Sequence, residues 1–485
     1  MQNLRLKSER AGPPGSNARS GMSRPVTWVL TAGVVLIIGI IWVGIRSRKP
    51  DSMPPDSPRT AVTDTFGRKT PRQFTGDPRW GRRHPPAQVA PEQIVAGKLS
   101  QYARLRRDLG RRMAEKLGVE FTPEMERFFD AIESGDWEET QSLAGVLLGV
   151  GKTSESPESP PNHPLRPVLM EAWGVAEVAH QWPAQALLDY GARILETLEP
   201  GTIYLGGTDP GRFIPTLLNE TTDGDRHIVL TQNALADHQY LEYLACLYPD
   251  QLAGLTVEDS QRAFNDYLSD ARRRWQHDQQ FPDEPKQVGA NEGIQATAGG
   301  GMAISGSVAV MQINGLLLET LMAKNPAAGF MLEESLPIPS TYRGGAVAGP
   351  LIRLQAVEGG GPMPAETAQQ ALRYWLDTGA QVMADAAWFE STDLRNAYAK
   401  LAEGQANLLA YQNFNREADQ LYQMAHQLSP TALPPVERYA EFLRQQGRQG
   451  EALQVLDTYA RANPDQQAET LKVRQRLAEA APASP

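Results

Sequence analysis

The chain is short of the residues that build the commonest catalytic and cofactor sites. Its 485 residues include one cysteine, Cys246, so neither an intrachain disulfide nor a CxxC motif can form. Its seven histidines show no HxxxH spacing, and no GxSxG or GxGxxG pattern occurs. The sequence therefore gives no support to a zinc hydrolase, a serine hydrolase with a nucleophile elbow or a dinucleotide-dependent enzyme, and we expect no cofactor and no metal.

Positive charge is also in deficit. The net charge of −10 argues against nucleic acid as a main partner, which would require a basic surface. Cys246 lies in the apolar helical run LEYLACLY, where a buried structural thiol is the expected role and a nucleophile is the alternative. The composition, 41% apolar and 21% charged, is that of an ordinary globular protein with room for about three domains.

One segment is apolar enough to cross a membrane. Val26–Ile45 contains 20 residues without a charge, which spans a bilayer at about 1.5 Å per residue. It lacks the small-residue cleavage site of a secretory signal, so we expect an uncleaved anchor behind a tail at 1–25. Basic residues flank both sides, so the positive-inside rule does not fix the orientation. The short tail favours an inner-membrane protein with its C-terminal bulk in the periplasm, whether Met1 or Met22 is the start.

The segment that follows, 46–95, reads as a linker. Nine prolines lie between Pro50 and Pro91, with few large apolar residues, so it cannot bury a core and is typical of a semi-rigid spacer. Its seven basic residues from Arg59 to Arg83 are either solvated or in contact with anionic lipid or cell wall.

Residues 96–200 have a helical pattern. Within them Gly151-Lys152-Thr153 imitates a phosphate-binding loop. We reject that interpretation because Val146 occupies the position of the required glycine and because a helix, not a strand, precedes the triplet.

Residues 201–360 have the alternating pattern of a Rossmann-like α/β domain with a mostly parallel sheet. Ile203–Leu205 is a short strand, a glycine pair breaks it, and a helix starts at Asp209-Pro210-Gly211. A second strand follows at 227–230, which completes a βαβ unit. The remaining predicted elements are strands at 254–257, 308–311, 330–332 and 351–357, and a polar loop over 278–306.

Polar side chains follow three of these strands. Successive parallel strands end at the same edge of a sheet, which is where ligands bind. The candidate ligand-binding residues are Asp209, Arg212, Asn233, Asp237, Glu333 and Glu334. Arg212 and the amides of the following helix start suit an anionic or hydroxyl-rich ligand. Helix caps, Asx turns, local ion pairs and a solvated strand end are the structural alternatives, and only one of the adjacent glutamates is expected to face the crevice.

Residues 361–485 contain a repeat. Arg416–Pro430 matches Gly450–Pro464 at an offset of 34, with Ala418 and Ala452 where two helices would approach closely. This period resembles the tetratricopeptide family over residues 396–464, although tryptophan and glycine are missing from the usual first-helix positions. Residues 467–480 would form a capping helix.

The blocks GGTDPGRF (206–213), TQNALAD (231–237), ING (313–315) and EES (333–335) resemble a bacterial group of single-span, membrane-anchored proteins with tetratricopeptide-like helices. The α/β block is also distantly similar to the soluble tail of glycosyltransferase-C-type membrane proteins. Neither resemblance implies a particular chemistry for this chain, because a single span lacks the multi-span catalytic core of such transferases.

Two functions remain. The first is a membrane-anchored scaffold that holds an unknown protein partner through its C-terminal helices. The second is an envelope enzyme or ligand-binding domain that acts on a polar, saccharide-like ligand in the α/β crevice. Because fold alone does not choose between them, catalysis stays undecided, with the repeat favouring the scaffold.

Overall fold

A computed structural model describes residues 89–150, 163–289, 292–296, 302–355 and 363–479. The N-terminal tail, the predicted anchor Val26–Ile45, most of the predicted linker and the triplet at 151–153 lie outside the described residues. In the part of the chain that is described, no helix is long and apolar enough to cross a membrane. The architecture is mixed: mostly helical, with one five-stranded sheet.

In the described part of the chain, five helices come before the sheet. They are α1 (Pro91–Leu117), α2 (Pro123–Ser134), α3 (Trp137–Leu148), α4 (Arg166–Gln181) and α5 (Ala184–Leu195). The sequence marks their ends: the Thr122 and Asp136 side chains accept from backbone N–H groups at the start of α2 and α3, and glycines in the left-handed conformation follow α1 and α2. Helix α1 begins at Pro91, inside the segment predicted as linker.

The sheet is mixed rather than mostly parallel. Its order is β2-β1-β5-β7-β6, formed by β1 (Ile203–Gly206), β2 (Ile228–Thr231), β5 (Phe330–Glu333), β6 (Ala346–Ala348) and β7 (Leu351–Leu354). Strand β1 pairs in parallel with β2 and β5, whereas β7 pairs antiparallel with β5 and β6. The two-residue connection Gly349-Pro350 makes β6 and β7 a hairpin, and Gly349 has the positive φ, 52°, that such a tight turn requires.

The other elements of the α/β part surround the sheet. They are α6 (Asp209–Glu220), α7 (His238–Leu247), α8 (Val257–Gln280), α9 (Ser307–Lys324), α10 (Pro339–Tyr342) and a separate antiparallel pair, β3 (Gly293–Ala296) with β4 (Met302–Ser305). Helix α6 connects β1 to β2, so the predicted βαβ unit is present.

Three predictions in this region were wrong. Residues 308–311 belong to α9, because this apolar run continues into a buried helix, and a short apolar run alone cannot separate a strand from such a helix. Residues 254–257 lead into α8 instead of forming a strand, since the Thr256 and Asp259 side chains form a capping box there. The predicted loop over 278–306 contains the end of α8 and the pair β3–β4.

The core lies on both faces of the sheet. In β1, Tyr204 packs into a cluster shared with α5, α6 and the C-terminal helices, whereas Ile203 and Leu205 pack on the opposite side with α4, α7 and α9. This alternation follows from the two-residue period of a strand. Because both faces of the sheet are covered by apolar side chains, the strands appear in the sequence as continuous hydrophobic runs.

The C-terminal part is a series of helices: α11 (Ala365–Ala384), α12 (Ala386–Glu390), α13 (Thr392–Tyr411), α14 (Asn415–Leu428), α15 (Leu433–Gln445), α16 (Gln449–Ala462) and α17 (Gln467–Glu479). Each helix from α13 onward packs on the next along the chain. Ala418 and Ala452, the matched alanines of the repeat, are both fully buried, which is compatible with the predicted helical hairpins.

Candidate functional site

The carboxyl ends of β1, β2 and β5 meet at one edge of the sheet. Gly206, the last residue of β1, is paired with Thr231 on one side and with Glu333 on the other. The turn after β1, formed by Gly207 and Thr208, leads into α6 at this edge. The sequence correctly placed the ends of β1, β2 and β5 together.

Glu333 occupies the position at this edge where an anionic ligand would sit. Its Oε2 atom accepts hydrogen bonds from the backbone N–H groups of Gly207, at 2.5 Å, and Thr208, at 2.8 Å. Its Oε1 atom accepts from the Thr208 hydroxyl at 2.8 Å. A Cβ atom on Gly211 would lie only 2.2 Å from Oε2, so the carboxylate is packed directly against α6. The chain itself thus supplies the anion for this helix N-terminus.

Glu333 cannot reach an external molecule. The residue is 1% exposed. Burial raises the pKa of its carboxyl, and the hydrogen bonds from Thr208 and Gly207 oppose that shift without cancelling it. A side chain that is this deeply enclosed holds the turn after β1 in place, which is a structural role.

Asp209 and Arg212 are paired with each other. Asp209 is the first residue of α6 and not its cap, because the Thr208 hydroxyl accepts from the Gly211 N–H at 3.0 Å. Arg212 Nη2 donates to Asp209 Oδ1 at 3.0 Å, and its guanidinium carbon lies 4.1 Å from the centroid of the Phe213 ring. The buried Nε atom of Arg212 finds no hydrogen-bond partner among the described residues.

Asn233 and Asp237 have different roles. Asn233 Nδ2 donates to the Ser335 hydroxyl at 3.1 Å and lies 3.4 Å from the Gly207 carbonyl, so it joins the ends of all three parallel strands. Asp237 caps α7 by accepting from the Gln239 N–H at 2.9 Å. Asn233 is therefore at the strand edge, whereas the carboxylate of Asp237 serves its own helix.

Sequence reasoning missed Gln232, which is fully buried at the same edge. Its Oε1 accepts from the Ser335 N–H at 2.9 Å, and its Nε2 donates to the Leu336 carbonyl at 3.1 Å. These two hydrogen bonds connect the residue that follows β2 to the residues that follow β5. The only signal was its place in the TQN triplet directly after a strand.

Glu334 faces away from the crevice, toward the C-terminal helices. It is 3% exposed, so the interpretation of this residue as part of a solvated strand end was wrong. Its carboxyl group contacts the Tyr342 hydroxyl and accepts from Asn407 Nδ2 at 3.1 Å. Burial raises the pKa of this carboxyl above its usual range, against the lowering effect of the bonds from Tyr342 and Asn407.

Two cavities in the described part of the chain are small, about 70 and 50 Å³: one is lined by Leu244 and Leu255, the other by Arg193 and Asp385. Pockets for small ligands usually measure about 300–1,000 Å³. The described residues also contain no cluster of metal-ligating side chains.

Comparison with protein-family models, with curated proteins and with solved structures found no match for this chain. Its function is therefore argued from the geometry alone.

Proposed function

We propose that this protein is a membrane-anchored scaffold that binds a partner protein through C-terminal tetratricopeptide-like helices. The observation that carries the proposal is the position of Glu333. In a ligand-binding Rossmann-like domain the turn after the first strand is left open for the ligand, whereas here the chain's own carboxylate takes its amides. This occupied turn favours a structural role for the α/β part.

The α/β part is packed against α13 of the C-terminal helices. Gln405 of α13 donates from Nε2 to the carbonyls of Gly349, at 2.8 Å, and Leu351, at 2.9 Å. Gln412 donates to the Tyr342 and Gly345 carbonyls at 2.7 and 2.8 Å. This face of α13 is therefore already engaged within the chain and is not free for a partner.

The helices beyond α14 offer a freer surface. We define the α15–α17 surface by Glu437 of α15 and Arg476 of α17, which contact each other. Arg476 is 50% exposed and Glu437 is 34% exposed. Arginine is enriched at protein interfaces because its planar group combines hydrogen bonding with packing. The partner is therefore assigned to this surface.

The test compares matched arginine variants of the full-length protein in its own membranes. Arg476→Glu should abolish recovery of a copurifying protein that wild type retains. Arg127→Glu, on α2, is the control, since this arginine is 63% exposed and distant in sequence from the proposed surface. Equal recovery with both variants would reject the assignment of the surface.

A second function is favoured by one observation. Among the described residues the buried Arg212 Nε atom has no hydrogen-bond partner, and Asp209, which pairs with Arg212, remains partly exposed. A small polar or saccharide-like ligand at the rim of the strand edge would satisfy this donor. A thermal-shift screen with sugars and small anions tests it: a ligand shift that Arg212→Ala removes would support the ligand-binding function, and no shift with any ligand would count against it.

A further inference from the structure

Glu334 is a buried carboxyl group whose hydrogen-bond partners in the described part of the chain include no cation. The Tyr342 hydroxyl oxygen lies 2.7 Å from its Oε1 and 2.5 Å from its Oε2. Asn407 Nδ2 donates to Oε1 at 3.1 Å, and the Ile338 N–H donates to Oε2 at 3.4 Å. A phenol carries a single proton, so an ionised Glu334 would share it in a three-centre bond, whereas a neutral Glu334 can also donate its own proton to the tyrosine oxygen.

The charged neighbours do not compensate an ionised Glu334. The titratable and polar groups around this carboxyl are Tyr342, Lys400, Asn407 and Tyr422, with Glu403 and Arg438 beside Tyr422 and Glu333 adjacent on β5. Lys400 donates to Glu403 at 2.8 Å, and Arg438 lies 3.7 Å from the same oxygen of Glu403. Among the described residues, neither cation forms an ion pair with Glu334.

Glu403 adds to the excess of negative charge. It is 1% exposed, and its second carboxylate oxygen has no hydrogen-bond partner among the described residues. Three buried carboxyl groups, of Glu333, Glu334 and Glu403, thus share two nearby cations. Burying an uncompensated charge is costly, and a protein avoids that cost by holding a proton.

We propose that Glu334 is kept as a neutral acid in the folded protein and acts as a proton-sensitive clasp between β5 and α13. In the neutral form it donates to Tyr342 and accepts from Asn407, which joins the sheet to the C-terminal helices. Asn407 in turn accepts from the Tyr422 hydroxyl at 2.7 Å, so the clasp extends to α14. Loss of the proton leaves a buried charge at this junction and loosens α13 from the sheet.

The direction of the pH effect follows from burial. Because burial raises the pKa of Glu334 in the folded state, the folded protein binds a proton over a range where the unfolded chain has lost it. The contribution of this group to the free energy of unfolding is then largest at low pH, and it falls as pH rises through the raised pKa. Glu333 contributes with the same sign, so a variant of Glu334 alone should reduce the pH dependence without removing it.

The experiment uses Glu334→Gln, which copies the neutral acid, in the full-length protein. Hydrogen exchange of α13 and urea unfolding are measured from about pH 5 to about pH 9, above the ordinary pKa of glutamate. Wild type should lose protection in α13 as pH rises, and the variant should lose less. At the high end the unfolding constant of the variant should be about tenfold smaller than that of wild type for each pKa unit of the shift. Infrared difference spectra at neutral pH should show a neutral carboxyl band that the variant lacks.

Glu441→Gln is the control. Glu441 is partly buried on α15, but hydrogen bonds from Arg444 hold its pKa below the usual range despite its burial. This variant should keep both the wild-type infrared band and the loss of α13 protection with rising pH. The proposal is overturned if Glu334→Gln leaves the carboxyl band and the pH dependence of α13 unchanged, or if it unfolds while Tyr342→Phe, which removes only the hydroxyl, leaves both readouts at wild-type values.

Discussion

Replacing Glu333 with alanine tests the claim that this side chain holds the strand edge closed. The substitution removes the acceptor for two backbone N–H groups and one hydroxyl, all within 2.8 Å of the carboxylate. Hydrogen bonds to a charged group contribute about 1.5–3 kcal/mol each. The alanine variant also no longer has the cost of burying a carboxylate, which offsets part of this sum. We therefore expect a net loss of about 3–5 kcal/mol of unfolding free energy.

Glu333→Gln is the matched control. The glutamine carbonyl can still accept from the Gly207 and Thr208 amides, and its NH₂ group can donate to the Thr208 hydroxyl, which already accepts from Gly211. We expect a cost of about 1 kcal/mol, since one charged acceptor becomes neutral. Urea unfolding followed by circular dichroism measures both variants.

The alanine variant also vacates an anion position at the start of α6. Added acetate or formate should therefore restore part of its stability, and should do nothing for wild type. If the unfolding free energy of Glu333→Ala lies within about 1 kcal/mol of that of wild type, the carboxylate does not hold the turn and the strand edge is not closed by Glu333.

Three further predictions concern other parts of the chain. Ala452→Trp should cost about 1–3 kcal/mol by overpacking a fully buried site, whereas Gln454→Trp on the exposed side of the same helix should be neutral in thermal unfolding. Asp237→Ala should lower the unfolding free energy by about 1 kcal/mol through loss of a cap, and Asp209→Ala by under about 0.5 kcal/mol because the Asp209 carboxylate is partly exposed to water; similar losses would disprove the assigned roles. A reporter fused to the C-terminus should be active only in the periplasm if Val26–Ile45 anchors the chain as predicted, and activity only in the cytoplasm would reverse the topology.

The sequence predicted the βαβ unit because its signals are local. The apolar run at 203–205, the glycine break and the Asp209–Gly211 helix start all lie within ten residues of one another. The repeat was also visible as a fixed offset between matched alanines. The pairing of β7 could not be predicted from the sequence, since its antiparallel direction depends on the hairpin at Gly349 and on contacts across the sheet.

The candidate site was predicted only in its outline. Strand ends gave Asn233 and Glu333 their correct place, because parallel strands end at one edge. The burial of Glu333 and Glu334 could not be predicted, since the segments that enclose them include Gly207 and Asn407, more than 60 residues away in sequence. Polarity at a strand end does not distinguish an open crevice from one that the chain itself fills.

The most direct test of the scaffold proposal is site-specific photocrosslinking in living cells. A photoreactive residue placed at Glu437 or Gln445, on α15, should give a discrete adduct with one partner protein. The same residue at Asp130, an exposed position on α2, or at Asp209 should give none. Adducts from Asp209 without adducts from α15, or no adduct from α15 at all, would contradict the proposal.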